Sequence, residues 1–351
     1  MSDRVTNWLM NEISHGTDDN SVWFSDENIL REISTVAELK KKPILITNRW
    51  DIAQHAEVLG IQTEFSDFDC QHIADHSQDR VFYRISKEKP IVHHLINQAF
   101  RILKPHGELI IAGQKTEGIK TYIEKARKLF SSDARIHKES ANYHARISKN
   151  TAIHSESNFL DDSDYTRIRV IAELRGHPLY SKPGIFGWNK VDQGSALLVE
   201  QLNAFLPTLK QQPDNLLDLG CGYGYLTLMT ADLPCTHRTL TDNNAAALAL
   251  ARFNCADRGI PADIIAGDAG SSLTSRFDLI LCNPPFHQGF DVDGDLTDKF
   301  LTATRRLLAK NGMAIFVVNQ FIPLERKAKG LFNRIEVLAE AHGFKVVVLG
   351  I

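Results

Sequence analysis

In the second half of the chain, short apolar runs alternate with segments long enough to be helices. The runs are Leu216 to Leu219, His237 to Thr241, Asp263 to Ile265, Phe277 to Leu281, Met313 to Val318 and Lys345 to Leu349. This rhythm of strand, helix and strand predicts an α/β fold with a doubly wound parallel sheet. Between the second and third runs, Asn243-Asn244 can cap the alanine- and leucine-rich stretch Ala245 to Ala251, which predicts a helix there.

The first half repeats part of this pattern. Arg101-Ile-Leu-Lys-Pro-His-Gly107-Glu-Leu-Ile-Ile-Ala112 aligns with Arg306-Leu-Leu-Ala-Lys-Asn-Gly312-Met-Ala-Ile-Phe-Val317, and both read as helix end, glycine cap and strand. Pro43-Ile-Leu-Ile-Thr47 is a further strand-like run, followed by Asn48-Arg49-Trp50 where the second half has glycines. A chain of 351 residues also exceeds the ~250–300 at which single cores stop growing. The expectation is two domains, residues 1–160 and 161–351, the first lacking the glycine turn of the second. They join near Ser155 to Asp164, where Ser-Glu-Ser-Asn and Asp-Asp-Ser-Asp interrupt the apolar pattern.

Composition narrows the class. The chain is 43% hydrophobic and 24% charged, values of an ordinary globular protein. No apolar run approaches the ~20 residues of a membrane span, and the start Met1-Ser2-Asp3-Arg4 lacks the pattern of a secretion signal. A cytoplasmic protein without membrane contact is expected. Cys70, Cys221, Cys235, Cys255 and Cys282 are scattered and never spaced as C-x-x-C, so neither a disulfide framework nor a zinc site is expected. A formal net charge of -3 argues against coating nucleic acid by global electrostatics, so any RNA contact must use a local basic patch.

The strongest chemical signal is Leu216-Leu-Asp218-Leu-Gly220-Cys221-Gly222-Tyr-Gly224-Tyr-Leu226, a buried strand entering a glycine-rich turn before a helix. Glycines permit positive φ and remove side chains that would keep a ligand away, and exposed backbone N–H groups are expected to meet it. The spacing is G-x-G-x-G, unlike the dinucleotide fingerprint G-x-G-x-x-G. Asp242, just after the next strand, is placed to accept ribose hydroxyl protons, and Asp268, after the third, to accept from an adenine amino group. A nicotinamide oxidoreductase would share the ribose carboxylate.

What separates these readings is Asn283-Pro284-Pro285-Phe286 after the strand Phe277 to Leu281. The prolines stop the strand and fix the loop. An exocyclic amine on a base is a poor nucleophile because its lone pair is delocalised into the ring. The Asn283 side-chain oxygen and the Pro284 carbonyl are suitable acceptors for its hydrogens, and Phe286 could stack on the base. His287 could take a proton but is left outside the catalytic set, and neither a metal nor a covalent intermediate is needed.

Asp218-x-Gly220-x-Gly222-x-Gly224 together with Asn283-Pro-Pro-Phe-His287 resembles the ribosomal RNA guanine-N2 methyltransferases of the RsmC/RlmG type. The resemblance covers nearly the whole chain and is sharpest from Pro183-Gly-Ile-Phe186 through Asp192-Gln-Gly194-Ser195 to Phe290. It implies two tandem Rossmann-like class I methyltransferase domains, doubly wound mixed sheets, of which the N-terminal one is degenerate and only the C-terminal one binds S-adenosylmethionine. It also implies transfer to N2 of a guanine in ribosomal RNA, and the overall length and Asn-Pro-Pro-Phe-His-Gln-Gly289 favour the small-subunit (16S) substrate. By the same likeness Asp192, Gly194, Asp218, Gly220, Cys221, Gly222, Gly224, Asp242, Asp268 and Asn283 would hold the cofactor, with Asn283, Pro284 and Phe286 acting on the base. Asn319 fits the family pattern as well.

Alternatives from the residues are large-subunit guanine, adenine N6 or a protein glutamine as the amine, or a non-catalytic RNA-binding assembly factor. The intact glycines, carboxylates and Asn283 oppose the last. Candidate RNA contacts are Lys115, Lys120, Arg127, Lys128, Arg326, Lys327, Lys329 and Arg334, with the segments Arg167 to Arg175 and Lys182 to Lys190 flanking the site. A monomer is expected.

Overall fold

The computed structural model describes residues 3–15, 20–26, 29, 42–150, 159–209, 211–285 and 294–351. Two compact units divide the chain, Met1–Thr166 and Arg167–Ile351. Of the expected join, residues 155–158 lie outside the described residues.

The first unit carries helices α1 (Arg4–Ser14), α2 (Trp50–Val58), α3 (Lys89–Ile102) and α4 (Ile119–Phe130) around a seven-stranded sheet. Its strands are β1 (Ser21–Ser25), β2 (Ile44–Thr47), β3 (Thr63–Phe65), β4 (Gln78–Arg84), β5 (Leu103–Gln114), β6 (Ala134–Glu139) and β7 (Asn142–Ser148). Their order is β3-β2-β1-β4-β5-β7-β6, parallel except that β7 runs against both β5 and β6.

The second unit opens with a hairpin, β8 (Arg169–Leu174) and β9 (His177–Ser181), which turns on Arg175 and Gly176 at φ 51° and 80°. Its sheet comprises β10 (Asn215–Leu219), β11 (His237–Asp242), β12 (Asp263–Ala266), β13 (Phe277–Cys282), β14 (Leu308–Asn319), β15 (Arg334–Ala341) and β16 (Phe344–Gly350). The order β12-β11-β10-β13-β14-β16-β15 repeats that of the first unit, again parallel up to β14 and antiparallel beyond. Helices α5 (Gln193–Phe205), α6 (Tyr225–Met229), α7 (Ala245–Asp257), α8 (Gly294–Leu307) and α9 (Leu324–Ala328) complete the unit. The sheets are thus mixed, as the resemblance implied, and not wholly parallel.

Burial on both faces explains the continuous apolar runs. Leu216, Leu279, Leu281, Ile315, Val317, Val346 and Val348 belong to one core cluster. Their neighbours Leu217, Ile280, Cys282, Ala314, Phe316, Val347 and Leu349 belong to another. The edge strand β15 is different, because most of its side chains are exposed or half-buried. Its sequence carries no such run, so it was not foreseen.

The repeat is real in structure and differs in detail from its expected form. β5 and β14 have the same length and the same residue-by-residue burial pattern. The two repeat arginines also act alike: Arg101 donates to the Ile73 and Cys70 carbonyls, and Arg306 to those of Leu273 and Gly270. Gly107 and Gly312, however, are not helix caps. The strands begin directly after α3 and α8, and both glycines lie at irregularities in the pairing with β4 and β13. A Cβ on Gly312 would stand 2.7 Å from the Phe277 carbonyl oxygen. Close approach of backbone selects glycine there. The run Pro43 to Thr47 is also misplaced by one strand, since β2 corresponds to β11 and the counterpart of β10 is β1.

Among the described residues, no helix is long and apolar enough to cross a membrane.

Candidate functional site

β12, β11, β10 and β13 are adjacent and parallel, so the residues that follow them gather at one margin of the sheet. That margin is where open α/β sheets bind ligands. The glycine turn follows β10. Gly220, Gly222 and Gly224 all have positive φ, at 77°, 54° and 86°. Among the described residues, nothing lies within 4 Å of where a Cβ of Gly222 would stand, whereas one on Gly220 would meet Phe300 at 3.2 Å. Gly222 therefore opens the turn outward and Gly220 packs it inward.

The expected use of the turn's N–H groups needs correction. Gly220 and Cys221 both donate to the Thr241 carbonyl, at 2.9 and 3.0 Å, and Gly224 to that of Cys221 at 2.9 Å. Gly222 N–H donates to Asp242 Oδ2 at 2.9 Å. The Gly220, Cys221 and Gly222 donors hold the turn against β11, the Gly224 donor closes the turn on itself, and Gly222 leaves space for a ligand. Cys221 is buried, and burial pushes its thiol well above the ordinary range.

Asp218 lies beneath the turn, fully buried. Its Oδ2 accepts from the Thr227 N–H at 3.0 Å and hydroxyl at 2.8 Å, tying β10 to the start of α6. Burial pushes the carboxyl up to about 7 against the bonds from Thr227, and Oδ1 has no hydrogen-bond partner among the described residues. Its place is under the loop, not on the ligand face. Asp242 faces the turn: Oδ2 meets Gly222 and Oδ1 accepts from Asn244 N–H at 2.8 Å. Both carboxylate oxygens thus meet backbone donors, one from the turn and one from the α7 cap, and these hold the group in place. Asn244 caps α7 and donates to the Gly184 carbonyl at 3.0 Å, bringing the Pro183 to Phe186 segment to this margin. Phe186 is 72% exposed.

Asp268 begins a short turn after β12 and forms an ion pair with Lys299 of α8. Nothing near Lys299 in the sequence announces that partner. Asn283 follows β13 and meets residues from the start of α5: its Nδ2 donates to Asp192 Oδ2 and to Ser195 Oγ, both at 2.8 Å. Gly194 is packed there too, since a Cβ would stand 3.0 Å from the Phe344 ring. Asp192, Gly194 and Asn283 are thus one cluster, while Asp218, Cys221 and the glycines form the turn beside it. Ser195 and Thr227 were not singled out for these roles; the Asp-x-x-Ser spacing was a readable helix-cap signal, and Thr227 had none. Pro284 is described, whereas Phe286 and His287 lie outside the described residues. Among the described residues, no group of three or more His, Cys, Asp or Glu side chains could hold a metal ion.

Several basic candidates are already engaged. Arg127 pairs with Glu124 and Asp133, Lys327 with Asp298, Arg175 with Asp232 and Arg334 with Glu336. Arg334 also lies over the Phe205 ring at 5.3 Å.

Comparison with known proteins gives the same architecture. The family model described as "Methyltransferase small domain" matches residues 176–348. The solved Thermus thermophilus 16S rRNA N2 G1207 methyltransferase, in complex with AdoMet and guanosine, superposes with a TM-score of 0.83 over 99% of this chain and 92% of its own, at 22% identity. The ribosomal RNA small subunit methyltransferase C of Pseudomonas entomophila is 29% identical over 79% of this chain and 81% of its own length. That of Shewanella loihica is 31% identical over 271 residues, 76% of each chain. This chain belongs to the ribosomal RNA small subunit methyltransferase C family.

Proposed function

We propose that the protein methylates the exocyclic N2 of a guanine in 16S ribosomal RNA, using S-adenosylmethionine, within the small ribosomal subunit. The observation that carries this reading is the state of Asn283. Both hydrogens of its amide are committed to Asp192 and Ser195, so its oxygen is the part available to an incoming amine. Beside it, the Pro284 carbonyl is a second acceptor, and the two prolines restrict the loop. Acceptors of this kind pull an amine's hydrogens toward the protein and leave the nitrogen lone pair directed elsewhere.

The turn residues fit the cofactor. Gly222 leaves the space a ligand needs, and Asp242 presents a carboxylate fixed by two backbone donors, suited to a pair of ribose hydroxyls. Asp218 and Cys221 support this surface from below. Bound S-adenosylmethionine supplies an activated methyl group, so the protein's task is alignment rather than strong base or metal chemistry. The Asp268 carboxylate, held by Lys299, is the acceptor for the adenine end.

The test is transfer of labelled methyl from S-adenosylmethionine to unmodified small- and large-subunit particles and to naked RNAs, followed by nucleoside analysis. N2-methylguanosine in 16S RNA is the expected product. Label in large-subunit RNA would move the substrate, and cofactor binding without transfer to any RNA would overturn the reading in favour of another amine. Asn283→Ala is expected to bind cofactor normally and to transfer slowly, by about a hundredfold or more.

A further inference from the structure

Asp192 caps the N-terminus of α5, which by itself would account for a carboxylate at that position. Yet its Oδ2 takes two hydrogen bonds, one from the Ser195 N–H at 2.7 Å and one from Asn283 Nδ2 at 2.8 Å, across 91 residues of chain. The second amide hydrogen of Asn283 goes to Ser195 Oγ. A primary amide has two donor hydrogens and one acceptor oxygen, and an ionised carboxylate can only accept. Turning the amide over would set its oxygen against the Asp192 carboxylate, two acceptors at hydrogen-bond distance. Asp192 therefore decides which end of the Asn283 amide faces the site.

We propose that Asp192, with Ser195 as a second arm, is a positioning residue for methyl transfer rather than a cofactor ligand. The proposal rests on the amine-orienting reading of Asn283. Its chemistry is that of a lock: the helix cap holds the carboxylate, the carboxylate and hydroxyl hold the amide nitrogen, and the oxygen is left to the substrate.

The first unit supplies an independent observation. Arg80 pairs with Glu108, directly after Gly107, as Leu279 pairs with Met313, directly after Gly312. Counting on along each strand, Arg84 occupies the place of Asn283. Asp3 caps α1 as Asp192 caps α5, and Thr6 stands where Ser195 stands, three residues on in each case. Arg84 Nε donates to Asp3 Oδ2 at 3.1 Å, so the link between cap carboxylate and strand end is present in both units. In the first unit the guanidinium also donates to Glu117, in two bonds of 2.6 Å, and to the Ile85 carbonyl at 3.2 Å, and the group is buried. The same contact is part of an internal ion pair there and holds the nitrogen of a neutral amide in the second unit.

The test compares Asp192→Ala, Asp192→Asn, Ser195→Ala, Asn283→Ala and the Asp192→Ala/Asn283→Ala double variant in the full chain. Single-turnover transfer is measured at saturating S-adenosylmethionine, and cofactor affinity by calorimetry. Asp192→Ala is expected to slow transfer by about ten- to a hundredfold through misplacement of the amide, with cofactor affinity within about threefold. Asp192→Asn, whose oxygen can accept both donors, should recover most of the rate. The double variant should be no slower than Asn283→Ala alone, as expected for residues acting as a unit.

Unchanged transfer in Asp192→Ala, losses that multiply in the double variant, or a loss explained by weaker cofactor binding would each overturn the positioning role. Normal transfer by Asn283→Ala would instead overturn the reading beneath it. If Asp192→Ala does not fold, Ser195→Ala leaves the cap carboxylate in place and decides the question by the same comparison with Asn283→Ala.

Discussion

Asp218 gives the sharpest physical prediction, because it is a carboxyl group buried without an opposite charge beside it among the described residues. Its pKa stands at about 7 against 3.8 for an ordinary aspartate, raised first by burial and further by the charge of Asp242, and held back by the two bonds from Thr227. A raised folded-state pKa means that folding favours the protonated form. The resulting contribution to stability is fully present below pH 3.8 and is lost as pH rises through 7. One pKa unit is worth about 1.4 kcal/mol, so the contribution is about 3 kcal/mol at pH 5 and close to zero at pH 8. Asp218→Asn removes the titration and keeps an oxygen for Thr227. The stability of wild type relative to the variant should therefore fall by about 3 kcal/mol between pH 5 and pH 8. Hydrogen exchange of peptides from β10 and β13 reads this, with both proteins compared at the same pH so that intrinsic exchange cancels. A difference that stays constant across the range would refute the assignment of Asp218 as a buried, uncompensated acid.

Asp242→Ala removes the acceptor for the Gly222 and Asn244 N–H groups as well as the proposed ribose ligand. Cofactor affinity measured by calorimetry should fall by about ten- to a hundredfold, the equivalent of one or two lost charge-assisted bonds; unchanged affinity would dismiss the ribose role. Gly312→Ala drives a methyl group to 2.7 Å from the Phe277 carbonyl, while at Gly107 the nearest contacts are at 3.1 Å. Denaturant unfolding should show Gly312→Ala destabilised by about 2–3 kcal/mol and Gly107→Ala by less, and equal losses would contradict the close-approach account of the repeat glycines.

Much of the second unit was legible because its signals are local. Apolar runs at Leu216, Phe277 and Met313 marked strands buried on both faces, and the Gly220 to Gly224 spacing marked a turn that only glycine adopts readily. Asn283-Pro284-Pro285 announced a stiff loop after a strand. The Arg101 and Arg306 repeats disclosed the duplication, since a shared burial pattern leaves a shared sequence pattern. Other features left no such trace. β15 is an edge strand with mixed side chains, and of the β8–β9 hairpin β8 lay within a segment whose charges suggested a surface patch and β9 between two such segments.

By itself, then, the sequence determined the kinds of element, the turn and the residues able to do chemistry, because periodicity and backbone preference are set by neighbours in the chain. It did not determine which of those residues meet. Asp192 reaches Asn283, Lys299 reaches Asp268, and Asp218 turns away beneath the loop to Thr227. Those outcomes depend on the order β12-β11-β10-β13-β14 and on where α5 and α8 dock against it. In a parallel sheet each strand end is delivered by a separate crossover, so the partners at the site are assembled by packing between segments far apart in sequence.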